Sequence, residues 1–162
     1  MRSLDKRRVL EALLRQVEAE LQTLIAAAEA THEGATHEEA KPENDKDTRA
    51  LEASYLARGQ AARVEETQEI ATRLRFLELR SFGEDDPIGV GALVEVDVDG
   101  EEATYFLVPV GGGRRVVVEE REIIVVTASS PVGRALLGKE VGDDFELKIG
   151  PRRREYEILS AM

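Results

Sequence analysis

Two hydrophobic periods divide this chain. From Leu4 to about Ala30, apolar residues recur three or four apart, at Leu10, Leu13, Val17, Leu21, Leu24 and Ala28. Glu18, Glu20 and Gln22 fall between them, which is the spacing of an amphipathic helix. About 27 helical residues would measure roughly 40 Å. Thr31-His32-Glu33-Gly34 is expected to end the helix, with Gly34 as the stop. A second helix is expected to start between Asn44 and Asp47, after Pro42, and to run to about Arg80. Its seam reads Ala50, Ala53, Ala57, Ala61, Val64, Ala71, Leu74 and Leu77. The alanines permit close approach near the connecting loop, while Ile70, Leu74, Phe76 and Leu77 widen the far end. Heptad-like spacing on both sides of one loop points to an antiparallel coiled-coil hairpin over residues 1–80. A parallel dimer would need the pattern to continue through Pro42, and it does not.

Residues 81–87, Ser81 to Pro87, hold Gly, Pro and a run of acids and read as a linker. Beyond them the period becomes two. Val94, Val96 and Val98 alternate with Glu95, Asp97 and Asp99. Asp99-Gly100 signals a hairpin, with Ala103 to Val110 as the returning strand. Ile123 to Val126 is a short apolar run, either strand or connector. Ser130 caps a short helix, Pro131 takes its first position and Gly138 ends it. Phe145 to Ile149 and Glu155 to Leu159 alternate again, joined at Gly150-Pro151. The expected class is α+β: a helical hairpin, then a small antiparallel sheet of four to six strands with one short helix over residues 88–162.

Composition narrows the function. With no Cys among 162 residues, disulfides, zinc-thiolate sites and thiol catalysis are excluded. No apolar run reaches the ~20 residues of a membrane span, and the basic start, Met1 to Arg8, leads into an amphipathic helix rather than a signal core. A cytoplasmic location is the expectation. A net charge of −11 opposes attraction of the whole surface to nucleic acid. Two local basic clusters remain, Arg2/Lys6/Arg7/Arg8 and Arg152-Arg153-Arg154, and both read as solvated surface or turn clusters.

The loop between the helices carries the most chemistry. Within residues 38–47, Glu43, Asp45 and Asp47 place three carboxylates close together, the hard oxygen donors that Mg²⁺ or Ca²⁺ takes. The same acids also suit a helix start, where they cap and complement the dipole. His32 and His37 are five apart, not at the spacing of a zinc-protease motif. Gly111-Gly112-Gly113 has no lysine and no helix after it, so a phosphate loop is not supported. No serine has a base beside it, and no His follows residue 37. An enzyme of the Ser-His type is therefore not expected.

Ser130-Pro131-Val132-Gly133-Arg134-Ala135-Leu136-Leu137-Gly138-Lys139-Glu140-Val141-Gly142-Asp143 resembles the Ser-Pro-(apolar)-x-Arg-(small)-Leu-(apolar)-Gly-Lys-x-x-Gly-Asp segment of the bacterial GreA/GreB family. Gly91 to Val96, Asp99 to Tyr105 and Glu155 to Leu159 resemble that family's strands in order. The resemblance covers residues 88–162 closely and residues 1–80 in architecture. It implies an FKBP-like domain without isomerase activity that docks on the rim of the RNA polymerase secondary channel. The contact loop would correspond to Ser129, Ser130 and Pro131, with Arg134 beside it; Ser129 stands where the family usually has Asp or Asn. It further implies that the coiled coil enters the channel and presents tip carboxylates to a Mg²⁺ shared with the polymerase, which cuts backtracked RNA itself. On this view the chain is not an enzyme, holds no cofactor in isolation, acts as a monomer and meets nucleic acid only within the elongation complex. The family tip reads Asp-x-x-Glu-Asn; Glu43-Asn44 matches its end, but Ala40 occupies the Asp position. Some members inhibit the polymerase instead. A protein-interaction adaptor with the hairpin as spacer is the reading of a different class. A stand-alone prolyl isomerase lacks an aromatic-lined pocket, having only Tyr105, Phe106, Phe145 and Tyr156 in the body.

Overall fold

The computed structural model describes residues 3–39 and 46–162, with side chains placed for 3–32 and 50–162. By compactness the chain divides into two units, residues 1–14 with 73–162, and residues 15–72.

Residues 15–72 are a helical hairpin drawn from α1 (Lys6–Glu39) and α2 (Lys46–Arg75). Helix α1 runs straight through Gly34, contrary to the expected stop. A lone glycine inside a helix costs about 1 kcal/mol relative to alanine, and flanking helix formers carry that. The seam also departs from expectation. On α1, Val17 is buried and Leu21, Leu24 and Ala28 are half-buried, as the period requires. On α2 the inward positions are Ala53, Gln60, Val64, Thr67 and Ala71, whereas Ala50, Ala57 and Ala61 are exposed. The inward row keeps heptad spacing but passes through two polar residues, which a search for apolar residues skips. Thr67 satisfies its hydroxyl by donating to the Arg63 carbonyl at 2.8 Å. The Gln60 Oε1 atom is buried with no hydrogen-bond partner.

In the other unit, Asp5 caps α1, its carboxylate accepting from the Arg7 N–H at 2.9 Å. Helix α2 ends at Arg75, five residues short of Arg80 as expected from sequence. No glycine or proline in the sequence marks that end. Phe82 is buried and lies between two cations, with Lys6 at 5.1 Å and the Arg80 guanidinium at 4.5 Å from its ring. The Lys6 ammonium donates to the Arg80 carbonyl and, at 3.0 Å, to that of Gly91. Burial, and secondarily Arg80, hold the Lys6 pKa below its usual value.

The sheet has six strands in the order β3-β4-β2-β1-β6-β5. They are β1 (Leu93–Val98), β2 (Glu101–Leu107), β3 (Arg115–Val118), β4 (Arg121–Val126), β5 (Asp144–Ile149) and β6 (Arg152–Ala161), with α3 (Pro131–Leu136) between β4 and β5. The α+β class holds, but the sheet is mixed rather than antiparallel: β2 and β4 pair parallel. Strand β3 forces this, because its hairpin with β4 folds back into the slot beside β2. Asp99-Gly100 turns with φ of 51° and 89°, the two positive values of a type I′ hairpin. Glu119-Glu120 makes a second tight turn, between β3 and β4, with φ of 51° and 65°. Two glutamates give no turn signal, which is why β3 is not visible in the sequence. One sheet face, with Val94, Val96, Leu107, Tyr156 and Ile158, packs with Leu136 of α3 in a single core. On the other face Leu93, Phe106, Ile123 and Val125 are buried as well. Among the described residues no helix is long and apolar enough to cross a membrane.

Two outcomes follow. Replacing Gln60 by Leu removes an unsatisfied buried oxygen and should raise stability by roughly 1–2 kcal/mol, measured by urea denaturation of the full chain; an unchanged or lower midpoint would contradict the assignment. Burial raises both the Tyr105 and Tyr156 phenols, Tyr105 further through Tyr156, while Arg154 opposes the shift at both. Above pH 10, where unfolded tyrosines ionise, the fold keeps protons that the unfolded chain has lost, so stability must fall as pH climbs. Tyr105→Phe should flatten that decline, read from unfolding midpoints between about pH 9 and 11.

Candidate functional site

The connection from β4 to β5 spans residues 127–143, and its part from Thr127 to Gly138 contains the four body residues expected from sequence to form a contact loop, Ser129, Ser130, Pro131 and Arg134. Ser130 is extended (φ −81°, ψ 151°) and caps α3, its Oγ accepting from the Gly133 N–H at 3.1 Å. The same hydroxyl donates to the Thr127 carbonyl at 3.0 Å, and the Ser130 N–H adds a bond to that carbonyl at 3.1 Å. Thr127 Oγ1 and Ser129 Oγ share a hydrogen bond of 2.7 Å. Arg134 returns from the helix so that Nη2 donates to the Ser129 carbonyl at 3.2 Å. Ser129, Ser130, Pro131 and Arg134 are thus brought together in one braced loop. Ser129, Pro131 and Arg134 are exposed, whereas Ser130 is half-buried and spends its hydroxyl on the loop itself. Ser130 is therefore a brace, and the surface offered outward is the Ser129 backbone, the Pro131 ring and the Arg134 guanidinium.

Two glycines shape this loop through their contact with Thr127. A Cβ on Gly133 would stand 1.9 Å from the Thr127 carbonyl oxygen, so α3 touches the preceding turn with no room for a side chain. A Cβ on Gly112 would meet Thr127 Cγ2 at 2.9 Å. Thr127 is held between two glycines from different loops. A glycine inside a short helix is the one available signal for Gly133; nothing in the sequence marks Thr127. The far end of α3 is tied down by Gly138, whose N–H donates to the Ile88 carbonyl at 2.8 Å, and by Ile88, which donates to Lys139 O at 2.8 Å.

The hairpin tip is the second candidate. Glu43 and Asp45 lie outside the described residues, as does Ala40; Asp47 falls in the first turn of α2, with its side chain outside them. Among the described residues no group of three or more His, Asp or Glu is placed to share a metal ion.

A family model described as "Transcription elongation factor, GreA/GreB, C-term" matches residues 83–162. The chain is 30% identical over 97 residues to the transcription elongation factor GreA of Rhodospirillum rubrum, covering 59% of this chain and 58% of that protein. It is 34% identical over 99 residues to GreA of Rhizobium leguminosarum bv. trifolii, covering 60% and 58%. Its matches to these two proteins thus span somewhat over half of their length. Similarity to the transcription inhibitor protein Gfh1 of Thermus thermophilus extends further, at 28% identity over 153 residues, 93% of this chain and 90% of that one. Among solved structures, Gfh1 of Thermus aquaticus aligns over 93% of this chain and 94% of its own, with a TM-score of 0.38 and 20% identity. A GreA/GreB factor from Nitrosomonas europaea aligns over 59% and 78%, with a TM-score of 0.35 and 24% identity.

Gly133→Ala should push α3 off the Thr127 carbonyl and cost roughly 3 kcal/mol, the upper end of overpacking penalties. Ser130→Ala, which leaves the backbone in place, should cost nearer 1 kcal/mol as a lost cap. Chemical denaturation of the two variants side by side checks the order, and a reversal would refute the account of the loop.

Proposed function

Because the chain belongs to the GreA/GreB family through the domain at residues 83–162, we propose that it regulates transcription elongation by binding RNA polymerase at the secondary channel. The observation that carries this reading is the family's Ser-Pro segment standing as an exposed, internally braced loop at the start of α3. Pro131 and Arg134 supply one apolar and one cationic contact on a backbone already ordered, so little conformational entropy is lost on docking. The Ser129 hydroxyl, in place of a carboxylate or amide, is taken up by Thr127 Oγ1 within the loop and adds no charge to the contact.

The helical hairpin is then the arm that reaches the polymerase active site. Its tip acids Glu43, Asp45 and Asp47 are carboxylate donors of the kind that Mg²⁺ takes. The catalytic chemistry would belong to the polymerase, the chain contributing ligand oxygens and no nucleophile or base of its own. A non-cleaving, inhibitory modulator is the second reading. Two observations favour it: Ala40 at the position of the tip Asp, and similarity to a transcription inhibitor along nearly the whole chain.

A stalled, backtracked elongation complex with labelled RNA separates the readings. Short 3′ fragments released by the wild-type chain and lost with Glu43→Ala would establish stimulation of cleavage. Absence of cleavage with competition against a GreA protein would establish the non-cleaving modulator. Neither cleavage nor competition would overturn polymerase binding. Arg134→Ala should weaken competition about tenfold, the effect of removing one charged contact of roughly 1.4 kcal/mol.

A further inference from the structure

Strands β5 and β6 form a two-stranded ribbon at one end of the sheet, closed by Gly150-Pro151. Its register places like charges directly opposite one another three times in succession. Lys148 faces Arg153, Glu146 faces Glu155, and Asp144 faces Glu157. Directly opposed like charges destabilise a strand pair, and opposite charges in the same places would stabilise it. A sheet selected for stability alone would interleave the signs. Here they are sorted by distance from the turn, with cations at the free end and carboxylates toward the root. The one relief is a diagonal Arg153–Glu146 pair at 3.7 Å, well exposed on both sides and so of little energetic weight.

The free end carries cations on both faces. Lys148 and Arg153 point to one side; Arg152 and Arg154, opposite Ile149 and Leu147, point to the other. All four are exposed. The root is rigid, since Phe145 and Tyr156 stack with ring centroids 4.8 Å apart and nearly parallel planes.

We propose that the free end of the β5–β6 ribbon is a binding surface for duplex DNA, inserted between the phosphate walls of the major groove. The major groove admits a two-stranded ribbon and is about 12 Å wide and 8.5 Å deep. From the Leu147/Arg154 row to the turn the ribbon extends about 10 Å at the usual strand rise. The cationic length therefore matches the depth of the groove, and the first carboxylate row, Glu146 with Glu155, stays outside it. A flat acidic protein surface would engage one face of the ribbon and leave the other pair of cations unused. Paired anionic walls use both. The contact is to backbone phosphates and reads no base sequence.

The test uses the full-length chain and a labelled duplex of about 25 base pairs without polymerase, so its outcome is independent of the polymerase reading. Fluorescence anisotropy should show binding at low salt in the ~1–100 µM range of non-specific contacts, with a log–log salt slope of about −3 to −4 for four neutralised phosphates. Replacing Arg152, Arg153 and Arg154 together by Ser should weaken binding at least tenfold and bring the slope toward −1. Glu146→Gln with Glu155→Gln should tighten binding, a result that loss of structure would not give. Arg58→Ser with Arg63→Ser, on α2, should change nothing. Absence of binding by the wild-type chain at low salt, or equal binding by the triple variant with an unchanged melting temperature, would overturn the proposal.

Discussion

Everything in the larger unit hangs on strand β1. It pairs with β2 on one side and β6 on the other, and Val94 and Val96 are fully excluded from water. Through β2 it fixes β4, whose last residues set Thr127 and hence the loop before α3. Through β6 it fixes the ribbon with β5. Pairing on both edges makes its register stringent, since a slip of one residue would turn both valines to the opposite face. The register does shift once against β6, between Glu95 and Val96. Such bulges bend and twist the strand locally, and this one lies beside Glu95, which takes Arg121 at 2.8 Å and the Ser160 hydroxyl at 3.1 Å.

Most of this body was legible because its local signals agree with its tertiary structure. Alternation over Val94–Val98, the Asp99-Gly100 turn and the Ser130-Pro131 start of α3 each state a backbone geometry in side-chain terms. What escaped did so for identifiable reasons. Strand β3 ends in a Glu-Glu turn whose positive φ values no residue preference announces, so neither that hairpin nor the parallel pairing of β2 with β4 shows in the sequence. The end of α2 at Arg75 is announced by no glycine or proline in the sequence. The α2 seam departs from its apolar pattern because two of its inward residues, Gln60 and Thr67, are polar. Of the candidate site, the identity of the exposed residues was readable; the bracing by Thr127 was not, since a threonine between two glycines is a fact of three dimensions.

Charge is distributed here by location rather than by total. A chain of net charge −11 nonetheless gathers four cations at the end of one ribbon and keeps most carboxylates elsewhere. Exposed charges act over about a Debye length, ~8 Å at physiological salt. The cations at the ribbon end feel the adjacent Glu146/Glu155 row but little of the more distant surface, and net charge is a poor guide to what that end attracts.

The contact between Gly133 and the Thr127 carbonyl limits what sequence this chain can carry. At 133 no side chain fits, so substitution there is blocked by packing whatever the protein is selected to do. A domain held by such contacts keeps a recognisable sequence at the positions where packing leaves no choice, and Gly133 is one of them.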